Sequence, residues 1–323
     1  MTAASEAISR LESISNLTIL RDEPLALHTR FGIGGPALIF VETADENSFH
    51  EALLAAREGG LPWVVIGEGS NLVVSDEGFP GVVLRFTSGA MARGAFVHAQ
   101  AGAHLQTLVD FTIDQGLGNL HTMTGIPGSV GAAVYGNAGA YGHSISESVA
   151  SVRFFDSGKI RAFDNAACQF QYRESIFKRH KDWIIHSVSL DLAPAPAEEL
   201  RSTANGILKI RNEKYPPTMK CAGSIFKNLI LSELPDTVQR QVPGRVVREG
   251  KVPSAYFLEE VGAKGIRNGG IEVATYHANL IYNTGAGTAR ELREVISDLK
   301  ERVVSRFQLT LEEEVQYVGF GET

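Results

Sequence analysis

Residues 116–142 read GLGNLHTMTGIPGSVGAAVYGNAGAYG, with 8 glycines in 27 positions where the whole chain has 33 in 323. Every glycine costs conformational entropy when it is fixed, so a run this dense is not selected for packing energy. Close approach of the backbone to a ligand or to another segment explains it better. Just before the run, Leu105, Leu108, Val109 and Ile113 recur at helical spacing, and Gly116 closes the helix they predict. Just after it, 149–155 and 160–163 read as strands joined by Asp156-Ser157-Gly158, with a further strand near 184–192.

Towards the N-terminus a second glycine turn, Gly67-Glu68-Gly69-Ser70-Asn71, lies between an apolar strand at 63–66 and a second apolar run from Leu72. Upstream, Phe49, Leu53 and Ala56 mark a helix opened by a capping-box pattern, Thr43 with Glu46, and stopped by Gly59-Gly60. Together these make a β-α-β lobe, and 82–86 and 96–99 read as further strands. Residues 25–41 are apolar but hold Gly32, Gly34, Gly35 and Pro36, which suits an extended segment entering a turn. The opening MTAASEAISRLESISN reads as a polar tail without the apolar region of a secretion signal.

Towards the C-terminus, Ala193-Pro194-Ala195-Pro196-Ala197 is the clearest linker. Beyond it Leu200, Ala204, Ile207 and Arg211 share a helical face, 254–261 predicts a second helix, and 288–304 a third. The third opens on Thr288 and Glu291, a second capping-box pattern, and carries Leu292, Val295, Ile296 and Leu299 on one face. A strand over 311–318 closes the chain.

A net charge of −7 argues against broad binding to nucleic acid or anionic lipid. An apolar content of 44%, with no run long enough to span a bilayer, predicts a cytoplasmic protein. Basic residues do gather locally: Lys209, Arg211, Lys214, Lys220 and Lys227 face the single acid Glu213, which is either a solvated surface or an anion-attracting one. Cys168 and Cys221 offer no disulfide framework and no C-x-x-C pair, and no metal-ligand spacing is recognisable. Both are expected to be reduced structural thiols.

The turns Gly67–Asn71 and Gly125–Gly131 both flank predicted strands, where backbone N–H groups converge on a pyrophosphate. Neither is a Rossmann fingerprint or a P-loop. From these residues alone, dinucleotide binding and tight turns with no ligand both remain open.

The runs Gly67-Glu68-Gly69-Ser70-Asn71-Leu72-Val73-Val74 and Thr124-Gly125-Ile126-Pro127-Gly128-Ser129-Val130-Gly131 resemble the two pyrophosphate loops of the vanillyl-alcohol-oxidase-type FAD-binding domain. With Phe31-Gly32-Ile33-Gly34-Gly35-Pro36-Ala37 and Asn137-Ala138-Gly139-Ala140-Tyr141-Gly142, in this order, the pattern is similar more narrowly to the UDP-N-acetylenolpyruvoylglucosamine reductase family. The resemblance implies an α+β fold: two FAD-binding lobes, 1–86 and 87–197, and a substrate-binding α+β domain, 198–323, whose last strand brings in a catalytic glutamate. It implies FAD held by Gly67, Gly69, Ser70, Asn71 and Leu72 of the first loop and Gly125, Ile126, Gly128, Ser129 and Gly131 of the second. Some relatives of the wider fold attach flavin through a first-loop histidine; Ser70 stands in a loop without one, so the flavin is expected to be non-covalent.

The same resemblance assigns the chemistry, with NADPH as co-substrate and a nucleotide-sugar enolpyruvyl ether as substrate. Arg173, in Tyr172-Arg173-Glu174-Ser175, matches the family's active-site arginine, a residue able to fork onto a carboxylate. Ser224, in Cys221-Ala222-Gly223-Ser224-Ile225-Phe226-Lys227-Asn228, matches its proton donor. Lys227 and Asn228 fall on substrate-contacting positions, although they equally suit a helix end. Strand alternation leaves Glu312 and Glu314 equivalent, and the motif selects Glu314 as the catalytic carboxylate. His277, in Tyr276-His277-Ala278-Asn279, is a further substrate candidate or a structural histidine. Only 51 positions separate Arg173 from Ser224, which resembles the family form lacking an added tyrosine loop, while 229–253 is longer and more polar than the resemblance implies. An oxidase of the same flavin fold and a non-catalytic nucleotide-sugar binding protein are the competing functions.

Overall fold

The computed structural model describes residues 3–321. They form two compact units. The first comprises the N-terminal segment up to Glu23, Ala37–Glu68 and Pro80–Pro217; the second comprises Pro24–Pro36, Gly69–Phe79 and the chain from Thr218 onward.

In the first unit the opening residues form helix α1, Ala3–Ser13, rather than a tail. The reason is packing: Ala7 and Leu11, one turn apart, are both buried, and Leu11, with Ile8 against it, joins the core that holds Phe49 and Leu53. Helix α2, Glu46–Glu58, follows the strand Pro36–Thr43. Its cap is Asp45 and not Thr43: the Asp45 carboxylate accepts from Ser48 N at 2.8 Å, while Thr43 ends the strand and its hydroxyl accepts from Asp45 N. Strand Trp63–Ile66 then runs parallel to Phe79–Phe86 in a four-stranded sheet, completing the β-α-β arrangement. Phe49, Leu53 and Ala56 of α2 pack with Val82, Leu84 and Phe86 of that sheet.

The rest of the unit is built on an antiparallel five-stranded sheet. Val149–Asp156 pairs with Lys159–Asp164 through the Asp156-to-Lys159 turn and with Ile184–Leu190 on its other side. Helix α3, Leu105–Asp114, buries Leu105, Leu108, Val109 and Ile113 against this sheet's core, together with the short helices α4, Val130–Tyr135, and α5, Ile176–Arg179. Helix α6, Ala197–Lys214, begins where the Ala-Pro linker ends and adds Leu200 and Ala204 to the same core.

In the second unit, strands Lys220–Ser224, Leu280–Asn283, Ile271–Val273 and Arg267–Asn268 form an antiparallel sheet in that order. The polar excursion 229–253 is closed at its base by a ribbon pairing Leu229 with Val252 and Ile230 with Lys251. Between them lies α7, Asp236–Gln239, and after them come α8, Ser254–Glu260, and α9, Ala289–Phe307. Helix α9 carries the predicted capping box: the Thr288 hydroxyl accepts from Glu291 N, and the Glu291 carboxylate accepts from Thr288 N. Asp76 adds to this end, its carboxylate accepting from Ala289 N at 2.8 Å and Arg290 N at 3.0 Å. That bond ties the early segment Gly69–Phe79 to the C-terminal helix, and Asn283 does the same for Pro24–Pro36 by donating to Phe31 O at 2.9 Å.

Among the described residues no helix is long and apolar enough to cross a membrane.

Candidate active site

The start of the first glycine turn, Gly67-Glu68, meets the second turn inside the first unit. A Cβ on Gly67 would lie 2.6 Å from the Ser129 hydroxyl, so only glycine allows the first loop to lie this close to the second. His104 and Ser129 form an isolated antiparallel bridge, and His104 pairs with Glu68 of the first loop. The second turn does not flank a strand as expected. It follows a 3-10 turn, His121–Met123, and opens α4, whose cap is the Ser129 hydroxyl accepting from Ala132 N. Gly125 and Gly128 are at φ +77° and +121°, values that favour glycine. Gly125 N is taken by Gln106 Oε1 at 2.7 Å, Ile126 N by Met123 O, and Gly131 N by Ala101 O at 2.8 Å. A Cβ on Gly131 would meet the Ala101 Cβ at 2.8 Å. These N–H groups hold the turn's shape, and Gly67, Gly125, Gly128 and Gly131 leave no side chain at those positions to fill the space that a flavin diphosphate would need. That cradle fits FAD.

Gly69, Ser70, Asn71 and Leu72 belong to the second unit. Gly69, at φ +61°, accepts from Arg30 N, and a Cβ there would lie 1.9 Å from His28 O. Leu72 starts a short strand, Leu72–Val74, that runs parallel to Gln316–Val318.

Arg173 lies in the first unit at the tip of a tight turn closed by mutual backbone bonds between Gln171 and Glu174. Its φ of +59° turns the side chain sharply from the strand-like flanks. The glycine-rich segment 137–142 holds it there. The Arg173 guanidinium donates to Gly139 O at 2.8 Å and to Asn137 O at 3.4 Å, while buried Asn137 donates to Gln171 O at 2.8 Å. The Arg173 carbonyl in turn accepts from Lys178 Nζ.

Ser224 and Glu314 lie in the second unit and are brought together through their backbones. Ser224 ends strand Lys220–Ser224 after a register shift between Cys221 and Ser224, with Gly223 at φ +77°. Such a bulge re-aims the side chain that follows it. The next residue, Ile225, accepts from Glu314 N at 2.7 Å. The closing strand is shorter than the sequence suggests: Gln316–Val318 is the regular part, and Glu314 precedes it. The segment changes partner here, pairing through Glu313 with Phe226 and then through Gln316 with Leu72, so period-two alternation does not carry across. The neighbouring carboxylates are engaged in ion pairs. Glu312 pairs with Lys227, and Glu313 pairs with Lys300 at 2.8 Å and accepts from the Tyr317 hydroxyl.

Lys227 is buried and Asn228 exposed; the Asn228 side chain accepts from Ser254 N at the start of α8, the helix-end role. His277 Nδ1 accepts from Asn279 N at 3.1 Å. Asn279 and Ser254 are structural residues that sequence reasoning gave no role. Asn279, 2% exposed, accepts from Phe226 N and donates to Phe226 O and the Ser254 hydroxyl, fixing the chain just after Ser224. Only the adjacency of Asn279 to the His277 motif pointed that way.

A family model described as an FAD binding domain matches residues 37–162, the stretch that contains both glycine turns. The chain is therefore a flavin-dependent oxidoreductase with an FAD-binding domain and a C-terminal α+β domain. A second model, the C-terminal domain of UDP-N-acetylenolpyruvoylglucosamine reductase, matches residues 215–318. A protein of that name from Solibacter usitatus is 62% identical over 311 residues, covering 96% of this chain and all of the relative. Another from Bacillus licheniformis is 32% identical over 97% of this chain and 98% of its own. The crystal structure of UDP-N-acetylenolpyruvylglucosamine reductase from Thermus caldophilus superposes with a TM-score of 0.73 at 27% identity, covering 94% of this chain and 98% of that one. The chain belongs to the UDP-N-acetylenolpyruvoylglucosamine reductase family.

Proposed function

We propose that the protein reduces UDP-N-acetylglucosamine enolpyruvate to UDP-N-acetylmuramate at the expense of NADPH, a step in the synthesis of peptidoglycan precursors. The carrying observation is the 62% identity to a reductase of this substrate along its entire length. When bound, FAD would supply the hydride chemistry that links NADPH to C3 of the enolpyruvyl double bond. The two glycine turns would hold its diphosphate, and with Ser70 in a first loop that lacks histidine the cofactor would be bound without a covalent link.

Hydride arriving at C3 drives the electron pair of the double bond onto C2 and the adjoining carboxylate. Arg173 offers a planar cation to that carboxylate. Ser224 delivers the proton to C2, so that two hydrogens are added across the bond and NADP⁺ is the other product. A serine hydroxyl is a weak acid, and it serves here because the group it protonates is a strong base held beside positive charge. Glu314 acts at the same carboxyl end, hydrogen-bonding the enolate-like state. The backbone bond from Glu314 to the residue after Ser224 supports this pairing of roles. Lys227 and Asn228 contribute to holding the sugar diphosphate, and His277 contacts the substrate. The domain division 1–86, 87–197 and 198–323 is proposed on the same resemblance, with a cytoplasmic site of action.

Ser224→Ala tests the reading. Flavin reduction by NADPH is expected to continue at its normal rate while reoxidation by the enolpyruvyl substrate slows. Equal loss of both half-reactions contradicts the assignment.

A further inference from the structure

A second cluster of ligating side chains lies in the first unit. Glu46 and His50 occupy positions one turn apart on α2, and His186 projects from the strand Ile184–Leu190. One donor atom from each lies within 4.8 Å of the other two. We infer that Glu46, His50 and His186 form a binding site for one divalent transition-metal ion of the zinc type, with a water as the fourth ligand.

Four observations carry this. His186 Nε2 lies 3.0 Å from Glu46 Oε1, so these two donors need to part by only about 0.4 Å to reach the separation around a tetrahedral ion, about 3.4 Å for bonds of roughly 2.1 Å. His50 Nε2 and His186 Nε2, the two ring nitrogens that the site would use, are buried atoms with no hydrogen-bond partner, a cost that folded proteins rarely carry without a role. The rings are held in place by packing: His50 stacks on Phe155 at 4.7 Å and 19°, and His186 lies 5.5 Å from Phe86. Finally, the His186 side chain is 1% exposed but that of Glu46 is 39% exposed, so one ligand reaches solvent and gives the ion a way in.

The donor set selects the class of ion. Two imidazoles and one carboxylate suit zinc, cobalt or nickel rather than magnesium or calcium, which want oxygen alone. Arg153 is the opposing charge, close enough to act on both rings. The linear sequence conceals the site because His186 comes from a distant strand, and only Glu46 and His50 share a helical face.

The test uses the flavin-loaded full-length protein, stripped with chelator and titrated with Co²⁺. Expected are ligand-field bands to the red of the flavin absorbance, saturating at one ion per chain and abolished by added Zn²⁺. Glu46→Gln, at a half-buried position, is expected to weaken Co²⁺ binding at least tenfold, and His50→Gln to remove the bands. Arg153→Gln is expected to tighten binding. Absence of the bands in the native protein overturns the proposal. So do bands that persist unchanged in both the Glu46→Gln and His50→Gln proteins, since the ion would then lie elsewhere.

Discussion

The side-chain amide of Asn71 donates to the main-chain carbonyl of Glu314 at 2.8 Å. Residues 243 positions apart are thereby joined, and Glu314 is fixed on both sides, since its own N–H is given to Ile225 O. A residue of the first glycine turn thus positions the proposed catalytic carboxylate. Asn71→Asp puts an acceptor against an acceptor. It is expected to cost about 1–3 kcal/mol of stability and to slow reoxidation of reduced flavin by substrate. Denaturant unfolding and stopped-flow reoxidation check this, and a variant unchanged in both removes the positioning role.

Gly67 allows the two turns to converge. In Gly67→Ala the new methyl meets the Ser129 hydroxyl at 2.6 Å, so the hydroxyl that caps α4 or the turn itself must shift. Flavin affinity is expected to fall at least tenfold, about 1.4 kcal/mol, with the fold retained. Fluorescence titration of the apoprotein with FAD measures it; unaltered affinity means that the contact between the turns does not shape the cradle.

Arg173→Lys keeps the charge and loses the fork that grips Gly139 O and Asn137 O. Turnover is expected to drop by roughly 10²-fold or more, in line with the loss of an oriented charge-stabilising donor. Flavin reduction by NADPH should change little. Full turnover in the lysine variant would show that charge alone suffices.

Cys168 is fully buried, and burial pushes its thiol up to about 12, with Asp164 adding to the effect. At pH 8 it is expected to resist alkylation in the folded protein. In the unfolded chain the thiol ionises at its ordinary value, 9.0, so between pH 9 and 12 the unfolded state has lost a proton that the folded state keeps. Stability therefore falls with rising pH in that window. The advantage of the native protein over Cys168→Ala should shrink between pH 9 and 11 in urea titrations, and a constant difference contradicts the burial argument.

Where local rules decide, the fold was legible. The box Thr288–Glu291, the hairpin around 156–159 and the strand Trp63–Ile66 all follow from caps, turn residues and apolar runs. Misreadings arose where a competing local partner was not visible. Asp45 outcompetes Thr43 as the α2 cap because its carboxylate reaches Ser48 N, and α1 forms because Ala7 and Leu11 find a buried surface that a polar composition conceals. The site was legible as motifs but not as geometry. That Asn71 grips Glu314, that Asn137 and Gly139 hold the Arg173 turn, and that Glu46, His50 and His186 converge all depend on pairings between distant segments. Periodicity carries no record of those.

The most direct test of the account follows the visible flavin absorbance of the purified protein without oxygen, first with NADPH and then with UDP-N-acetylglucosamine enolpyruvate. The account predicts that NADPH bleaches the band and that the enolpyruvyl substrate restores it. Bleaching that only air reverses contradicts it, and makes the protein an oxidase on the same flavin scaffold.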